Sequence, residues 1–260
     1  MAETHPQITV EGLTLAYGSF VVMRDLSFVV ERGAIFFIMG GSGSGKSTVM
    51  RALLGLQQPS AGAIHYDGDD FLAQDEAHRE LTLRRLGVLY QSSALFSSMT
   101  VAENVALPLG EFTDLSPAEV REVASLKLAL VGLAGFEDFY PGELSGGMQK
   151  RAGLARAMAL DPEILFLDEP SAGLDPISAR HLDELITELR DSLGTTIVIV
   201  SHELASILDI GDASIFLDTT VRTISASGRP RELLAHPPHA RIAEFLTRGG
   251  SLAVDGGAHV

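Results

Sequence analysis

The chain has no cysteine and no tryptophan, and only 19 lysines and arginines stand against 34 aspartates and glutamates. Without cysteine there can be no disulfide, no thiolate metal site and no cysteine nucleophile. The formal net charge of −15 opposes a general affinity for nucleic acid or anionic lipid surfaces, which need dense Lys/Arg. A charge of this sign serves solubility instead. No uninterrupted apolar run approaches the ~18 residues needed to cross a bilayer. Met1–Pro6 lacks the basic and apolar regions of a secretory leader. Yet 46% of the residues are hydrophobic, so apolar surface is expected in a sizeable core and in partner interfaces. At 260 residues the chain fits one large domain. The expectation is a soluble protein that docks onto something.

What is present begins with Gly40, Gly41, Ser42, Gly43, Ser44, Gly45, Lys46, Ser47 and Thr48. The apolar run 34–39 before them reads as a buried strand, and the stretch through Leu54 after them as a helix. Strand, glycine turn and helix together form the setting in which G-x-x-x-x-G-K-[ST] cradles phosphate. Glycines let backbone N–H groups converge where side chains would block the approach. The helix opening at Lys46 adds its unpaired N–H groups and the positive end of its dipole. Lys46 is expected to reach the β- and γ-phosphates of a nucleoside triphosphate, and the Ser47 hydroxyl to ligate Mg²⁺.

The first third reads as β-rich, with near-alternation at Ile8, Val10, Leu13, Leu15 and Tyr17 and again at Leu26, Phe28 and Val30. Residues 62–70 read as a strand running into a tight acidic turn. Asp67, Asp69 and Asp70 lack the downstream glutamate of a calcium loop, which favours a hairpin. In the middle, Ser116-Pro117-Ala118-Glu119 is a capping box opening a helix through Val131, and a second helix is expected over Met148–Leu160. Then Ile164–Asp168 reads as a strand covered on both faces. Leu182, Leu185, Ile186, Leu189 and Leu193 mark a helix face stopped at Gly194, and residues 195–201 form another strand. Alternating strands and helices imply an α/β fold with a parallel sheet. Beyond about Arg248 a Gly-, Ala- and Ser-rich tail (249–260) is expected to be flexible.

Asp168 and Glu169 end the buried strand, where α/β sheets place ligand-binding residues. Asp168 suits a metal and Glu169 the base that deprotonates water attacking the γ-phosphate. Ser145-Gly146-Gly147 opens a helix and offers a second anion site, with an ordinary Ser145 cap as the plainer reading.

The ordered set of phosphate loop, Gln91, LSGGMQKR (144–151), ILFLDEP (164–170), SAGLD (171–175) and His202 resembles the ATPases of ABC transporters. The likeness runs from about Ile8 to Leu246. It implies a P-loop NTPase with an antiparallel N-terminal β region and a helical subdomain at about 92–160, within one domain over 1–248. It further implies that Tyr17 stacks on adenine, and that Gln91 touches the metal and the attacking water. By the same likeness Ser145, Gly146 and Gly147 cap the γ-phosphate held by a second copy, Asp175 lines the dimer seam, and His202 contacts the γ-phosphate. Seven other histidines are expected at the surface. Met148 stands where the commonest signature has glutamine, with Gln149 following. Backbone donors are indifferent to that change, so phosphate capping is expected to survive it.

Residues 91–115, together with 144–177, resemble the ATPases of Mla/Mce-type lipid transporters. That likeness implies ATP and Mg²⁺, a homodimer, a transmembrane permease, an MCE-domain lipid-binding protein and a STAS-domain protein. Its implied location is the cytoplasmic face of the inner membrane, held through the permease. Part of the apolar set Leu95, Phe96, Met99 and Val101 is expected to form a groove for a permease helix, with filling of the helical core as the plainer reading for any one of them. Residues 242–247 resemble the start of a C-terminal extension that clasps a partner subunit. An osmoprotectant importer ATPase is the alternative, since some carry Met in the signature, but these commonly append a regulatory domain. A soluble ATPase of DNA repair or translation would need a coiled coil or a second nucleotide site, and a non-hydrolytic module conflicts with an intact Glu169 and His202.

Overall fold

In the computed structural model, residues 6–247 are described; the tail expectation at 249–260 lies outside them. The chain opens with strands β1 (Ile8–Tyr17) and β2 (Phe20–Val30), then β3 (Ile35–Met39), helix α1 (Lys46–Leu53), and the short β4 (Ala61–Tyr66) and β5 (Asp69–Asp70). The middle holds α2 (Glu76–Arg84), β6 (Leu86–Leu89), α3 (Val101–Phe112), α4 (Pro117–Leu130) and α5 (Gly146–Ala157). After them come β7 (Ile164–Asp168), α6 (Pro176–Leu193), β8 (Thr196–Ser201), α7 (Leu204–Ile210), β9 (Ala213–Asp218), β10 (Thr223–Gly228), α8 (Pro230–Ala235) and α9 (Ala240–Thr247).

Two sheets form. One is antiparallel, in the order β2-β1-β4-β5; the other runs β10-β9-β3-β8-β7-β6, parallel throughout except for β10. Successive side chains of the central strands enter different cores. Phe37, Met39, Leu165, Leu167 and Ile199 join the helices, whereas Phe36, Ile38, Phe166, Val198 and Val200 pack with β1, β2, β4 and α1. Covering on both faces explains why β3 and β7 read as unbroken apolar runs.

The near-alternation of β1 has a physical cause. Its register against β2 slips between Val10 and Leu13, where Gly12 takes a φ of 55°. The bulge returns Leu13 and Leu15 to the interior after one extra residue. The acidic turn at Asp67 joins β4 to β5, and Asp67 pairs with Arg32 and Arg85.

Three expectations need adjusting. Helix α5 spans Gly146–Ala157 rather than Met148–Leu160, starting two residues earlier because Ser145 caps it. Leu193 lies outside the buried face of α6: Leu182, Ile186 and Leu189 are buried, while Leu193 is exposed in the last turn before Gly194 (φ 69°). Val101 is no surface residue but fully buried core beneath the helices, and Leu95 packs against that core. Phe96 is 52% exposed. Its loop is pinned by buried Asn104, which accepts from the Phe96 N–H at 2.7 Å and donates to the carbonyls of Phe96 and Thr100. At the end of the described chain, Ile242 and Leu246 of α9 are buried and Phe245 meets Phe216 edge-on.

Candidate nucleotide site

The C-terminal ends of β3, β7 and β8 lie side by side, since β8 pairs with both neighbours. The three loops that leave them carry the phosphate motif, the paired carboxylates and His202. The first loop turns sharply on Gly40 (φ 154°), where an added Cβ would sit 2.4 Å from Ser44 Oγ and 2.9 Å from the Leu217 carbonyl oxygen. It closes with Gly45 in the left-handed region at the N-cap of α1, which has no side-chain cap. The first N–H groups of that helix are therefore left for an external anion. Gly41, Ser42, Gly43 and Ser47 are exposed, Thr48 is half-buried and Ser44 is buried with its hydroxyl unpartnered.

Lys46 folds back over this turn. Its Nζ donates to the carbonyls of Gly40 (2.9 Å) and Gly41 (3.2 Å) and stands 3.8 Å from Glu169 Oε1. Burial lowers its pKa, against the pull of Glu169 and Asp168. Asp168 is pushed up by burial first and by the neighbouring Glu169 second. Its Oδ1 is buried without a hydrogen-bond partner.

Glu169 is buried in an uncommon backbone conformation, φ 47°, held by its N–H donating to the Val200 carbonyl at 2.8 Å. The carboxylate faces three groups: His202 Nδ1 at 2.8 Å from Oε1, the Ser201 hydroxyl at 3.4 Å from Oε2, and Lys46. The His202 side chain is 53% exposed, so its ring bridges the buried carboxylate and the open face. The arrangement can hold an anion, orient a carboxylate beside it and pass a proton from that carboxylate to an exposed imidazole. Of the seven other histidines, none of those among the described residues is buried.

Other sequence-predicted residues are arranged around this centre rather than inside it. Tyr17 is half-exposed at the end of β1, opposite Phe20. Gln91 is exposed in the turn after β6. Ser145 both caps α5, accepting from Met148 N–H at 3.3 Å, and leaves Gly146 exposed at the helix start. The two readings of that turn are compatible. Gln149 bends back to donate to the Leu144 carbonyl at 3.2 Å, and Met148 packs against the core. Asp175 caps α6, accepting from the N–H groups of Ile177 and Ser178 at 3.0 Å and from the Ser178 hydroxyl at 2.5 Å. Among the described residues, the hydrogen bonds of Ser145 and Asp175 stay within their own turns and do not reach the phosphate loop.

Sequence reasoning passed over Lys150, a buried cation that donates to the Gln91 carbonyl at 2.6 Å and to the Glu169 carbonyl at 3.3 Å. A signal existed: Lys150 heads the i, i+3, i+4 stripe with Gly153 and Leu154, so it lies on the inward face of α5.

The family model described as ABC transporter matches residues 23–172. The "Probable ribonucleotide transport ATP-binding protein mkl" of Mycobacterium tuberculosis is 40% identical over 240 residues, covering 92% of this chain and 66% of that protein. The chain thus spans slightly less than two thirds of that relative. The "Intermembrane phospholipid transport system ATP-binding protein MlaF" of Escherichia coli K12 is 39% identical over 239 residues, covering 92% of this chain and 88% of that protein. The solved "Dimeric structure of a post-hydrolysis state of the ATP-binding cassette MJ0796 bound to ADP and Pi" superposes with a TM-score of 0.77 at 28% identity, covering 85% of this chain and 98% of that one. The matched family model, the identity over most of the chain and the superposition agree, and the chain belongs to the ABC transporter family of ATP-binding cassettes.

Proposed function

We propose that this chain binds and hydrolyses ATP as the motor subunit of a transporter that moves phospholipid between membranes. The observation that carries hydrolysis is the Glu169 carboxylate, buried 2.8 Å from His202 Nδ1 and 3.8 Å from Lys46 Nζ at the mouth of the phosphate loop. Phospholipid as cargo draws its support from MlaF, alike over most of both chains.

In this reading Gly40–Thr48 cradle the phosphates through backbone N–H groups. Lys46 exchanges the Gly40 and Gly41 carbonyls for β- and γ-phosphate oxygens, and Tyr17 stacks on adenine. Glu169 accepts the proton of the water that attacks the γ-phosphorus, and His202 donates a hydrogen bond to the γ-phosphate as charge develops there. The donor set also fits Mg²⁺: Asp168 carries a buried, unpartnered oxygen, and the Ser47 hydroxyl and Gln91 side chain are hard oxygen donors. Ser47, Asp168 and Gln91 would hold the ion, which supplies charge neutralisation between phosphate oxygens.

Ser145 and Gly146 are exposed and Gly147 is half-buried at a helix start that no hydrogen bond joins to the phosphate loop of the same chain. We assign them to the γ-phosphate of a second copy, with Asp175 along the seam, an arrangement for which the dimeric cassette MJ0796 offers support. Residues 92–160 act as the helical subdomain of a domain spanning 1–248. Its permease contact is a groove of about 640 Å³ lined by Leu83, Leu86, Tyr90, Phe96, Leu107 and Phe112. No helix among the described residues is long and apolar enough to cross a membrane, which suits a subunit held at the inner membrane's cytoplasmic face by its permease. An MCE-domain and a STAS-domain protein complete the proposed assembly.

The test is reconstitution of the chain with its copurifying membrane subunits and measurement of ATP-dependent lipid transfer between vesicles. Phe96→Asp is expected to leave the melting temperature of the isolated chain unchanged while abolishing assembly and transfer. A complex that pumps only a small soluble solute would refute the lipid cargo. Stable groove variants that still assemble and transfer lipid would refute the docking site.

A further inference from the structure

Helix α5 does more than present Gly146 and Gly147 at its N-terminus. Six residues apart, two of its cations reach the same turn after β6: Lys150 Nζ donates to the Gln91 carbonyl at 2.6 Å, and Arg156 donates to the carbonyls of Ser93 (2.8 Å) and Ala94 (2.7 Å). That turn is conformationally demanding, with Ser93 and Ala94 at φ 60° and 50°, a region non-glycine residues visit only when their surroundings hold them there. The helix lies close against it, since a Cβ on Gly153 would fall 2.8 Å from Leu89 and 3.1 Å from Ser93.

Lys150 alone also reaches the other side of the site. The same ammonium donates to the carbonyl of Glu169 at 3.3 Å, and Glu169 too has a positive φ, 47°. One buried side chain therefore touches the peptide of Gln91 and the peptide of Glu169 while riding on the helix that begins at Gly146. A buried ammonium is costly unless its donors are used, and here two of the three go to the main chain of residues assigned to the metal and the attacking water.

We propose that Lys150 is a positioning residue for ATP hydrolysis: its ammonium fixes the backbone of Gln91 relative to that of Glu169, and through α5 ties both to the Gly146–Gly147 helix start. It touches neither nucleotide nor water; it sets where two groups that do so point. A movement of α5 when a phosphate reaches Gly146–Gly147 is thereby transmitted to both in one step. The proposal rests on the assignment of hydrolysis to Glu169 and Gln91.

The experiment uses the full chain and three readouts: melting temperature, displacement of a fluorescent ATP analogue, and steady-state kcat and KM for ATP. Lys150→Met keeps the length and the packing but loses both hydrogen bonds. Replacing a buried charged group by an apolar one of similar shape is commonly tolerated, so this variant is expected to fold. Misplacement of reacting groups by a fraction of an ångström is expected to lower kcat about tenfold or more while nucleotide affinity stays within about twofold. Lys150→Arg, which restores donors to both carbonyls, is expected to recover most of the loss. Should the Met variant unfold, Lys150→Gln, shorter and uncharged, is expected to give the same split between kcat and affinity. A Lys150→Met or Lys150→Gln chain with the parent's kcat would overturn the proposal. So would a loss of affinity equal to the loss of kcat, or an Arg variant no better than the Met variant. An inactive parent chain would instead remove the hydrolysis reading, and the proposal with it, which keeps the two failures distinct.

Discussion

Asp183 on α6 offers a test in which sign and size both follow from the structure. The residue is 7% exposed, and its Oδ2 accepts from the Ser206 hydroxyl at 2.7 Å. That bond joins α6 to α7, the helix that begins two residues after His202. Burial is the main influence on the carboxyl, opposed by the Ser206 bond and reinforced by Asp209 and Glu184, and the pKa is pushed up to about 6 from the ordinary 3.8. A carboxyl whose folded pKa is raised binds more protons folded than unfolded. Its contribution to stability is therefore fully present below pH ~4 and lost as pH rises through about 6. A difference of about 2 units at 1.36 kcal/mol each gives a ceiling of roughly 3 kcal/mol lost at neutral pH. Asp183→Asn keeps an acceptor for Ser206 and removes the charge, and its new amide faces the open cavity that Asp183 lines. The variant should melt above the parent at pH 8 by at most roughly 6–12 °C, taking about 2–4 °C per kcal/mol for a chain of this size. The advantage should shrink below pH 6 and vanish near pH 4. Calorimetry across pH 4–8 reads this directly. An Asn variant equal to the parent at pH 8, or an advantage that persists at pH 4, would refute the assignment of the cost to a buried charge.

Three further outcomes concern the nucleotide site. Glu169→Gln retains an oxygen facing His202 but cannot accept a proton, so ATP hydrolysis should fall by about a hundredfold or more while the variant accumulates as an ATP-bound dimer in light scattering; a monomer at saturating ATP and magnesium would contradict the shared-site arrangement. Lys46→Ala should weaken nucleotide binding about tenfold or more, whereas His202→Ala should leave binding nearly intact and slow turnover roughly tenfold; equal loss of affinity in both would remove His202 from its role at the γ-phosphate. Gly40→Ala places a methyl 2.4 Å from Ser44 Oγ and 2.9 Å from a backbone carbonyl, so the loop must shift, and both melting temperature and nucleotide affinity should drop together; an unchanged affinity would mean that the tight turn is not what shapes the cradle.

Much of this was legible from residue order. The β7 run Ile164–Asp168 and the phosphate loop between β3 and α1 occur where pattern and spacing put them, because buried strands and glycine turns are locally encoded. The adjustments arise where tertiary contacts decide. Val101 sits in an apolar segment open to both a surface and a core reading, and it is buried in the core where α3 packs with α4 and α5. Leu193 keeps the helical period but lies exposed in the last turn of α6. Lys150 was hidden by habit: a lysine in a helix beginning Met-Gln-Lys-Arg suggests solvent, and its two carbonyl partners lie 59 and 19 residues away. The pairing of Glu169 with His202 spans 33 positions and depends on β8 lying beside β7, so sequence alone gives the two residues but not the bond between them.

The turn from Glu169 to Asp175 has a consequence for how fast two copies would meet. Its backbone is already closed by Ala172 N–H to the Glu169 carbonyl and Leu174 N–H to the Ser171 carbonyl, both at 3.1 Å, and Asp175 accepts from three donors of its own chain. The conformational freedom of this segment is therefore surrendered when the chain folds, not when a second copy arrives. On the proposed seam, association then resembles rigid docking, with a rate limited by orientation at about 10⁵–10⁷ M⁻¹s⁻¹ rather than by a slow rearrangement of the turn.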